Sequence, residues 1–263
     1  MNISVNIPSY KRPRALKTLT YLPFARVWVA PQEFDEYKKN YPQADIIPCK
    51  DGVQGFGVPK VRNYILEQEF AQGADVVVIV DDDLDYIGRF EKEKDTNYGY
   101  KNVKLETDDF LVFVEKYSTL AKDLGAYFWG VNCNSDAQSY RHMCPFSTIS
   151  YIGGPFQVFI KGNDCVYDEN IPLKEDYDMT IQQLNKHRVV FRANMYHYFC
   201  KQSENVGGCA QIRSREKEKR DNEALIKKWG SHIVHFDSSN KGHTKKIKKE
   251  DYNPIIKVPI KGV

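Results

Sequence analysis

The 263-residue sequence contains no long apolar run and no closely spaced pair of cysteines. A membrane-spanning helix needs about 20 consecutive apolar residues, so the chain is not expected to cross a membrane. The six cysteines are scattered without a C-x-x-C pair, which argues against a structural zinc site and for free buried thiols. No basic segment followed by an apolar stretch opens the chain, so we expect no signal peptide and a cytoplasmic location.

The sequence also has little net charge. The formal value is +3, which by itself excludes a strongly basic nucleic-acid binder. The basic residues are nevertheless concentrated in "KGHTKKIKKE", residues 241–250. This segment is either a solvated tail or a contact surface for a polyanion.

Strand and helix patterns alternate along the chain and predict an α/β fold. Strand patterns cover 2–8, 25–31, 44–49, 75–80, 126–132, 156–162 and 189–200, and helix patterns cover 32–42, 59–73, 107–125 and a segment from 175 onward. The strand "DVVVIV" lacks polar alternation, which indicates burial on both faces of a sheet. We therefore expect a single domain over residues 1–235, with a mainly parallel central sheet flanked by helices. A basic C-terminal extension, residues 236–263, follows.

Three adjacent aspartates, Asp81, Asp82 and Asp83, end this buried strand, and Asp85 lies close behind. On a continuing strand, Asp81 and Asp83 would share one face and repel each other unless a cation lay between them. Carboxylates are ligands that suit Mg²⁺ or Mn²⁺, which also bind phosphate oxygens of substrates. The pattern predicts a metal–diphosphate site. Asp83 would bind the metal directly, and Asp81 would contact a ribose or a group that itself binds the metal. The alternative is a solvated strand end whose acids cap the next helix.

The helix that leads into this strand begins with "VPKVRNYIL". Lys60, Arg62 and Asn63 lie in its first turns, where amide groups and cations favour phosphate. Lysine and arginine on a helix can also be merely solvated.

A later motif, "KEDYDM", places acids at the start of another helix. Transfer of a group to a hydroxyl needs a general base, and Asp176 is our first choice, with Glu175 and Asp178 as alternatives. These acids could instead serve as helix-capping and first-turn residues. The Gly-Gly of "YIGGPF" forms a turn that could also shape a sugar pocket.

These motifs together resemble glycosyltransferases of the GT-A fold. The resemblance lies in "NIPSYKRP", "KVRNYIL", "DDD" and "KEDYDM" and covers roughly residues 1–200. A narrower resemblance, in "IPSYKRP", "VWVAP" and "GVPKVRNYIL…VVVIVDDD", is to the TET-associated glycosyltransferases. These are phage-type enzymes that place sugars on hydroxymethylated pyrimidines in DNA. It rests on about the first 90 residues.

From the motifs and the resemblance together, we expect the donor to be bound by Pro8, Tyr10, Arg12, Lys60, Arg62, Asn63, Asp81 and Asp82. The resemblance implies that the first three flank the base and ribose, and that the lysine and arginine of the helix approach the diphosphate. It also implies Mn²⁺ or Mg²⁺ bound by Asp83, Asp81 and His197. A rival pair, His232 and His235, lacks a suitable third ligand.

The sequence thus predicts a metal-dependent enzyme that moves a sugar from a nucleotide-sugar, most plausibly a UDP-sugar, to a hydroxyl. The acceptor implied by the resemblance is 5-hydroxymethylpyrimidine in DNA, contacted by Lys245, Lys246 and Lys248, in the host cytoplasm if a phage encodes the chain. Two alternatives stay open: a non-catalytic module that binds nucleic acid or sugar nucleotides, and a glycosyltransferase acting on glycans or proteins. A nucleotidyltransferase is disfavoured because "IPSYKRP" is not a glycine-rich phosphate loop.

Overall fold

A computed structural model of the protein describes residues 1–55, 57–94, 99–200, 214–236 and 254–257. The strands are β1 (Ile3–Pro8), β2 (Arg26–Val29), β3 (Asp45–Pro48), β4 (Val76–Val80), β5 (Leu84–Lys92), β6 (Tyr100–Lys104), β7 (Phe128–Asn132), β8 (Phe146–Ser147), β9 (Phe156–Ile160), β10 (Phe191–Cys200), β11 (Val234–Phe236) and β12 (Pro254–Ile256). The α-helices are α1 (Lys17–Tyr21), α2 (Phe34–Asn40), α3 (Val58–Ala71), α4 (Phe110–Asp123), α5 (Glu175–His187) and α6 (Arg215–Trp229).

Ten of the strands form one central sheet within the described part of the chain. Its order is β3-β2-β1-β4-β9-β7-β10-β5-β6, with β8 paired to β10. Strands β3, β2, β1 and β4 are parallel, and β9, β5 and β8 run against their neighbours. Strands β7, β10 and β6 run in the same direction as these four parallel strands. Seven of the ten strands therefore share one direction. The prediction of an α/β fold with a mainly parallel sheet is confirmed.

Strand β4 lies at the centre of the molecule, and all five of its residues are buried. Val76, Val78 and Val80 belong to one apolar cluster, which also contains residues of α4. Val77 and Ile79 belong to a second cluster with residues of α3 and α5. The sheet is therefore covered on both faces, as the absence of polar alternation in "DVVVIV" predicts.

The topology determines which loops meet. Strands β1 and β4 are parallel neighbours, with Asn6 opposite Ile79, so the loop after Pro8 and the acidic segment after Val80 leave the same edge of the sheet. Ligands in open α/β sheets bind at such carboxyl ends.

Several elements were not predicted from the sequence: the β5–β6 hairpin, β8, α1, α6 and the β11–β12 pair. Strand β12 lies in the predicted extension and pairs with β11 at the predicted boundary. Lys245, Lys246 and Lys248 lie outside the described residues. None of the helices in the described ranges is long and apolar enough to span a membrane, and five cysteines there are free thiols.

Candidate active site

The acidic triplet does not continue strand β4; it forms the turn that leads from Val80 into β5. Helix α1 fixes this turn through Thr18. The amide of Thr18 donates to the carbonyl of Asp82 (3.3 Å), and the amide of Leu84 donates to Oγ1 of Thr18 (2.9 Å). The three carboxylates therefore project from an anchored turn, and the strand alternation expected for them does not apply.

Asp82, predicted to bind the donor, is instead buried under the loop that follows β1. It accepts hydrogen bonds from Ser9 Oγ (2.7 Å) and Arg12 Nη1 (2.5 Å). The same Arg12 nitrogen lies 3.5 Å from Asp83 Oδ2. Both oxygens of Asp82 fix the loop, and its role in donor binding stays a prediction.

This anchored loop carries two further predicted donor-binding residues. Pro8 is the last residue of β1 and pairs with Trp28. Tyr10 is half-buried, and a Cβ atom at Gly55 would lie 3.1 Å from its hydroxyl. The tyrosine therefore packs closely against the loop before α3. In this position its ring can border a base, whereas Arg12 turns towards the carboxylates.

Arg62, predicted to approach the diphosphate, is instead a fully buried link between the acidic motifs. Its Nη2 donates to Asp81 Oδ1 (2.7 Å) and to the carbonyl of Gly154 (2.9 Å). Its Nη1 donates to Gln157 Oε1 (2.9 Å) and lies 3.4 Å from Glu175 Oε1. With 1% of its side chain exposed, Arg62 holds the acidic motifs together, and its approach to the diphosphate stays a prediction.

The two other polar residues of this helix start differ. Asn63 exchanges hydrogen bonds with the backbone of Tyr167, donating to its carbonyl (2.9 Å) and accepting from its amide (2.8 Å). Asn63 therefore anchors the segment of Tyr167, and its role in donor binding stays a prediction. Lys60 is half-buried in the first turn of α3.

Asp176 is held in one orientation at the start of α5. Its Oδ2 accepts hydrogen bonds from the hydroxyl of Tyr151 and from the amide of Gly154 (3.2 Å), and its Oδ1 accepts from the amide of Tyr177 (2.8 Å). The rings of Tyr151 and Tyr177 stack with centroids 4.3 Å apart. A carboxylate positioned in this way is suited to accept a proton from a bound hydroxyl.

The neighbouring acids of α5 have separate environments. Burial raises the pKa of Glu175, and the adjacent Asp176 raises it further, against the lowering effect of Arg62. Asp178 is fully buried and accepts hydrogen bonds from Trp229 Nε1 (2.7 Å) and Lys228 Nζ (3.0 Å) of helix α6. Asp178 therefore fastens α6 to α5 and is not available as the base.

The structure does not bring His197 to the aspartates. Its strand position in β10 is opposite Gly88, four residues beyond Leu84, which is about 13 Å along β5. Its ring packs 4.7 Å from that of Phe90, and burial lowers the pKa of its imidazole. His197 is therefore a buried residue among aromatic side chains, and its role as a metal ligand stays a prediction.

The β10 residue close to the acids is Cys200, which pairs with Leu84. Burial, together with the nearby carboxylates of Asp83 and Asp81, raises the pKa of the Cys200 thiol to about 12. The rival pair His232 and His235 lies at and just before β11, beyond α6.

A different group of metal-ligand types lies at the far end of α5. Ligand atoms of Asp164, Cys165 and His187 are within 4.8 Å of one another. Asp164 is already paired with Lys186 Nζ (2.6 Å) and with His187 Nε2 (3.0 Å). This group therefore forms a closed ion-pair cluster at the end of the helix.

The acidic turn has the charge that a divalent cation needs. Burial raises the pKa of Asp81, the nearby Asp83 and Asp82 raise it further, and Arg62 lowers it. Asp81 and Asp83 keep 34% and 20% of their side chains exposed, so their free oxygens can reach a ligand. The three carboxylates of the turn outnumber the two arginines that pair with them. Carboxylate oxygens are hard ligands, so the turn fits Mg²⁺ or Mn²⁺.

Known proteins are similar to this chain at the level of the family and of the fold. A family model described as TET-associated glycosyltransferase matches residues 3–208. The chain belongs to the TET-associated glycosyltransferase family. This confirms the resemblance drawn from the sequence and the assignment as a glycosyltransferase. No curated protein matches the chain.

Solved structures are similar to this member of the family at low identity. A structure of TarS 1–349 from S. aureus is 14% identical, with a TM-score of 0.46 over 86% of this chain and 66% of that one. The chain therefore spans about two thirds of the TarS structure. A glucosyl-3-phosphoglycerate synthase from Mycobacterium tuberculosis, in complex with Mn²⁺, UDP and glucosyl-3-phosphoglycerate, is 10% identical, with a TM-score of 0.47 over 89% and 83%. The mannosyltransferase PcManGT from Pyrobaculum calidifontis, with GDP-Man and Mn²⁺, is 10% identical, with a TM-score of 0.46 over 86% and 62%.

Sequence reasoning missed three polar residues that shape the site of this family member. Tyr151 orients Asp176, Ser9 orients Asp82, and Gln157 contacts Arg62. Gln157 left a signal, because it is the one polar residue in the apolar strand "FQVFI". Buried polar side chains are nearly always hydrogen-bonded, so an isolated glutamine in a core strand indicates a buried partner.

Proposed function

We propose that this chain transfers a sugar from a nucleotide-sugar, most plausibly a UDP-sugar, to the hydroxyl of a 5-hydroxymethylpyrimidine in DNA, with Mn²⁺ or Mg²⁺ as cofactor. The observation that carries the proposal is the connection between its two acidic motifs. Arg62 contacts both Asp81 (2.7 Å) and Glu175 (3.4 Å), although the two are 94 positions apart in the sequence (175 − 81). Arg62 thereby holds the turn of Asp81 and the start of the helix that carries Asp176 in a fixed relation, and group transfer depends on such positioning.

On the donor side, Asp83 and Asp81 would hold the metal. When bound, Mn²⁺ or Mg²⁺ supplies positive charge to the diphosphate leaving group. Tyr10, on the loop fixed by Asp82, would border the nucleotide base. The metal in the structures of glucosyl-3-phosphoglycerate synthase and PcManGT is Mn²⁺, and their nucleotides are UDP and GDP-Man.

On the acceptor side, Asp176 would act as general base. The acceptor oxygen forms a bond to the anomeric carbon of the sugar, and the bond from that carbon to the diphosphate breaks. The hydroxyl proton passes to Oδ1 of Asp176, while Tyr151 and Gly154 hold the carboxylate through Oδ2. A positioned base of this kind contributes about 10²–10⁴-fold to the rate.

The DNA acceptor is supported by the family description and by the charge of residues 241–250. Lys245, Lys246 and Lys248 would contact phosphates there. Binding should then weaken steeply with salt, with a log–log slope of about −0.9 per phosphate contacted on duplex DNA. Deleting residues 241–250 should flatten that slope and leave donor binding unchanged.

The test is a transfer assay with a panel of UDP- and GDP-sugars and three acceptors: hydroxymethylated DNA, a glycan and a peptide. Mass spectrometry follows the added sugar, with Mn²⁺, with Mg²⁺ and after chelation. Metal-dependent transfer to hydroxymethylated DNA supports the proposal. Transfer only to the glycan or peptide would refute the DNA acceptor. Donor binding without hydrolysis or transfer would indicate a non-catalytic binding module.

A further inference from the structure

Arg192 on strand β10 is a half-buried arginine that contacts no carboxylate of the described residues. Arg12, Arg26 and Arg62 each contact acids within 4.0 Å. Arg192 donates through Nε to Asn194 Oδ1 (2.8 Å) and through Nη1 to the carbonyl of Tyr151 (3.3 Å). Its charge is therefore uncompensated within this part of the fold.

An uncompensated cation in such a place is unfavourable. Burial lowers the pKa of Arg192, against the raising effects of Cys133 and Tyr198. The guanidinium Nη2 donates to no described residue. It is also not a buried atom without a partner, so it is open to solvent. Its hydrogens therefore face space that a ligand can enter. An anion placed there would supply the missing charge.

Arg192 lies on the acceptor side of the candidate site. Tyr151 connects it to the base, because the Tyr151 carbonyl accepts from Arg192 and the Tyr151 hydroxyl donates to Asp176. Burial raises the pKa of the Cys133 thiol. The positive charge of Arg192 lowers this pKa and the negative charge of Asp176 raises it, so the thiol lies near both charged groups.

The wall between the two charged groups is neutral and tightly packed. A Cβ atom at Gly153 would lie 2.7 Å from Tyr198 Oη and 2.9 Å from Cys133 Sγ. Hydroxyl, thiol and backbone groups can contact a sugar or a base, but they do not balance a positive charge. Among the described residues no anion balances Arg192, so a bound ligand can supply one.

We propose that Arg192 binds a phosphate group of the acceptor, next to the hydroxyl that receives the sugar. This inference rests on the proposed function, in which the donor diphosphate belongs with Asp81 and Asp83. Arginine offers two parallel N–H groups to a phosphate and remains charged when partly buried. A nucleic-acid acceptor supplies such a phosphate beside each base, whereas a neutral glycan does not.

The experiment compares wild type with Arg192→Gln, Arg192→Lys and the control Arg89→Gln. Arg89 lies on the adjacent strand β5, is 43% exposed and pairs with Glu91. Binding of a labelled single-stranded oligonucleotide with one 5-hydroxymethylcytosine is measured by fluorescence anisotropy over a range of salt. Binding of UDP is measured by calorimetry with Mn²⁺.

For Arg192→Gln we expect a loss of affinity of about tenfold, which is typical of a lost charged contact. We also expect a log–log salt slope less negative by about 0.7, the value for one phosphate on a single strand. Arg192→Lys should keep the wild-type slope, Arg89→Gln should resemble wild type, and UDP binding should not change. A role in folding alone would alter stability and leave the slope unchanged.

Equal slopes for wild type and Arg192→Gln would refute the role of Arg192, as would a parallel loss of UDP binding. A wild type that does not bind the oligonucleotide would refute it as well. The proposed function is tested separately by transfer with the wild type alone. Efficient transfer to hydroxymethylated DNA combined with equal slopes would remove Arg192 and leave the glycosyltransferase proposal intact.

Discussion

Replacing Arg62 with methionine would remove the buried cation and keep a side chain of similar length. Two acids would then lose their partner: Asp81, bonded at 2.7 Å, and Glu175, at 3.4 Å. Removing one partner of a buried ion pair typically costs about 3–5 kcal/mol. Asp81 keeps 34% of its side chain exposed, where water screens its charge, so we expect a loss near the lower end, about 3 kcal/mol.

The assay is urea unfolding of wild type and Arg62→Met, followed by tryptophan fluorescence. Above about pH 8, where Glu175 is ionised in the wild type, the double variant Arg62→Met with Glu175→Gln removes the uncompensated charge of the better buried acid, whose side chain is 12% exposed. It should recover part of the lost free energy of unfolding, because the neutral amide does not need the cation.

The pH dependence of the loss gives a second check. The pKa values of Asp81 and Glu175 are already raised by burial, and losing Arg62 raises them further. An acid whose pKa is raised on folding stabilises the fold at low pH, and this stabilisation is lost as the pH rises through the folded-state value. The free energy of unfolding that Arg62→Met loses relative to wild type should therefore become smaller as the pH falls from about 8 to about 5. A loss below about 1 kcal/mol, or a deficit that grows on acidification, would refute the role of Arg62.

Two further substitutions test the ends of the site. Asp83→Asn should abolish Mn²⁺-dependent UDP binding in calorimetry. It should leave the unfolding free energy nearly unchanged, because the ion pair of Asp83 with Arg12 is long (3.5 Å). Wild-type affinity would remove Asp83 from the metal site. Tyr151→Phe should lower kcat about tenfold without changing the donor KM, since it deletes a hydrogen bond to a charged group and keeps the stack on Tyr177. An unchanged kcat would show that Tyr151 does not act through Asp176.

The helices and strands whose apolar residues are continuous or recur with a regular period were predictable from the sequence. Strand β4 and helices α3, α4 and α5 agree with the sequence patterns within a few residues, because each has a continuous or periodic apolar face. The β5–β6 hairpin was missed because "LDYIGRFEK" mixes buried and exposed residues without clear alternation. Its placement depends on pairing with β10, which local sequence does not reveal.

The acidic motifs were also predictable, whereas the partners of their carboxylates were not. In the sequence, Arg62 and Asp82 stand next to residues that face solvent or a ligand. In the structure, the side chains of both are buried against other parts of the protein. Arg62 lies on the same helix face as Val61 and Ile65, which pack on the sheet. Sequence spacing alone does not distinguish a cation that binds substrate from one that holds two acids together.

The most direct test of the central claim is to measure donor binding and sugar transfer in Asp176→Asn. If Asp176 is the base on a preformed site, the variant should bind UDP with Mn²⁺ as wild type does. Its transfer rate should be lower by about 10²–10⁴-fold, the usual contribution of general-base catalysis. Transfer at the wild-type rate, with donor binding intact, would show that the acids of "EDYD" only begin helix α5 and would contradict the account.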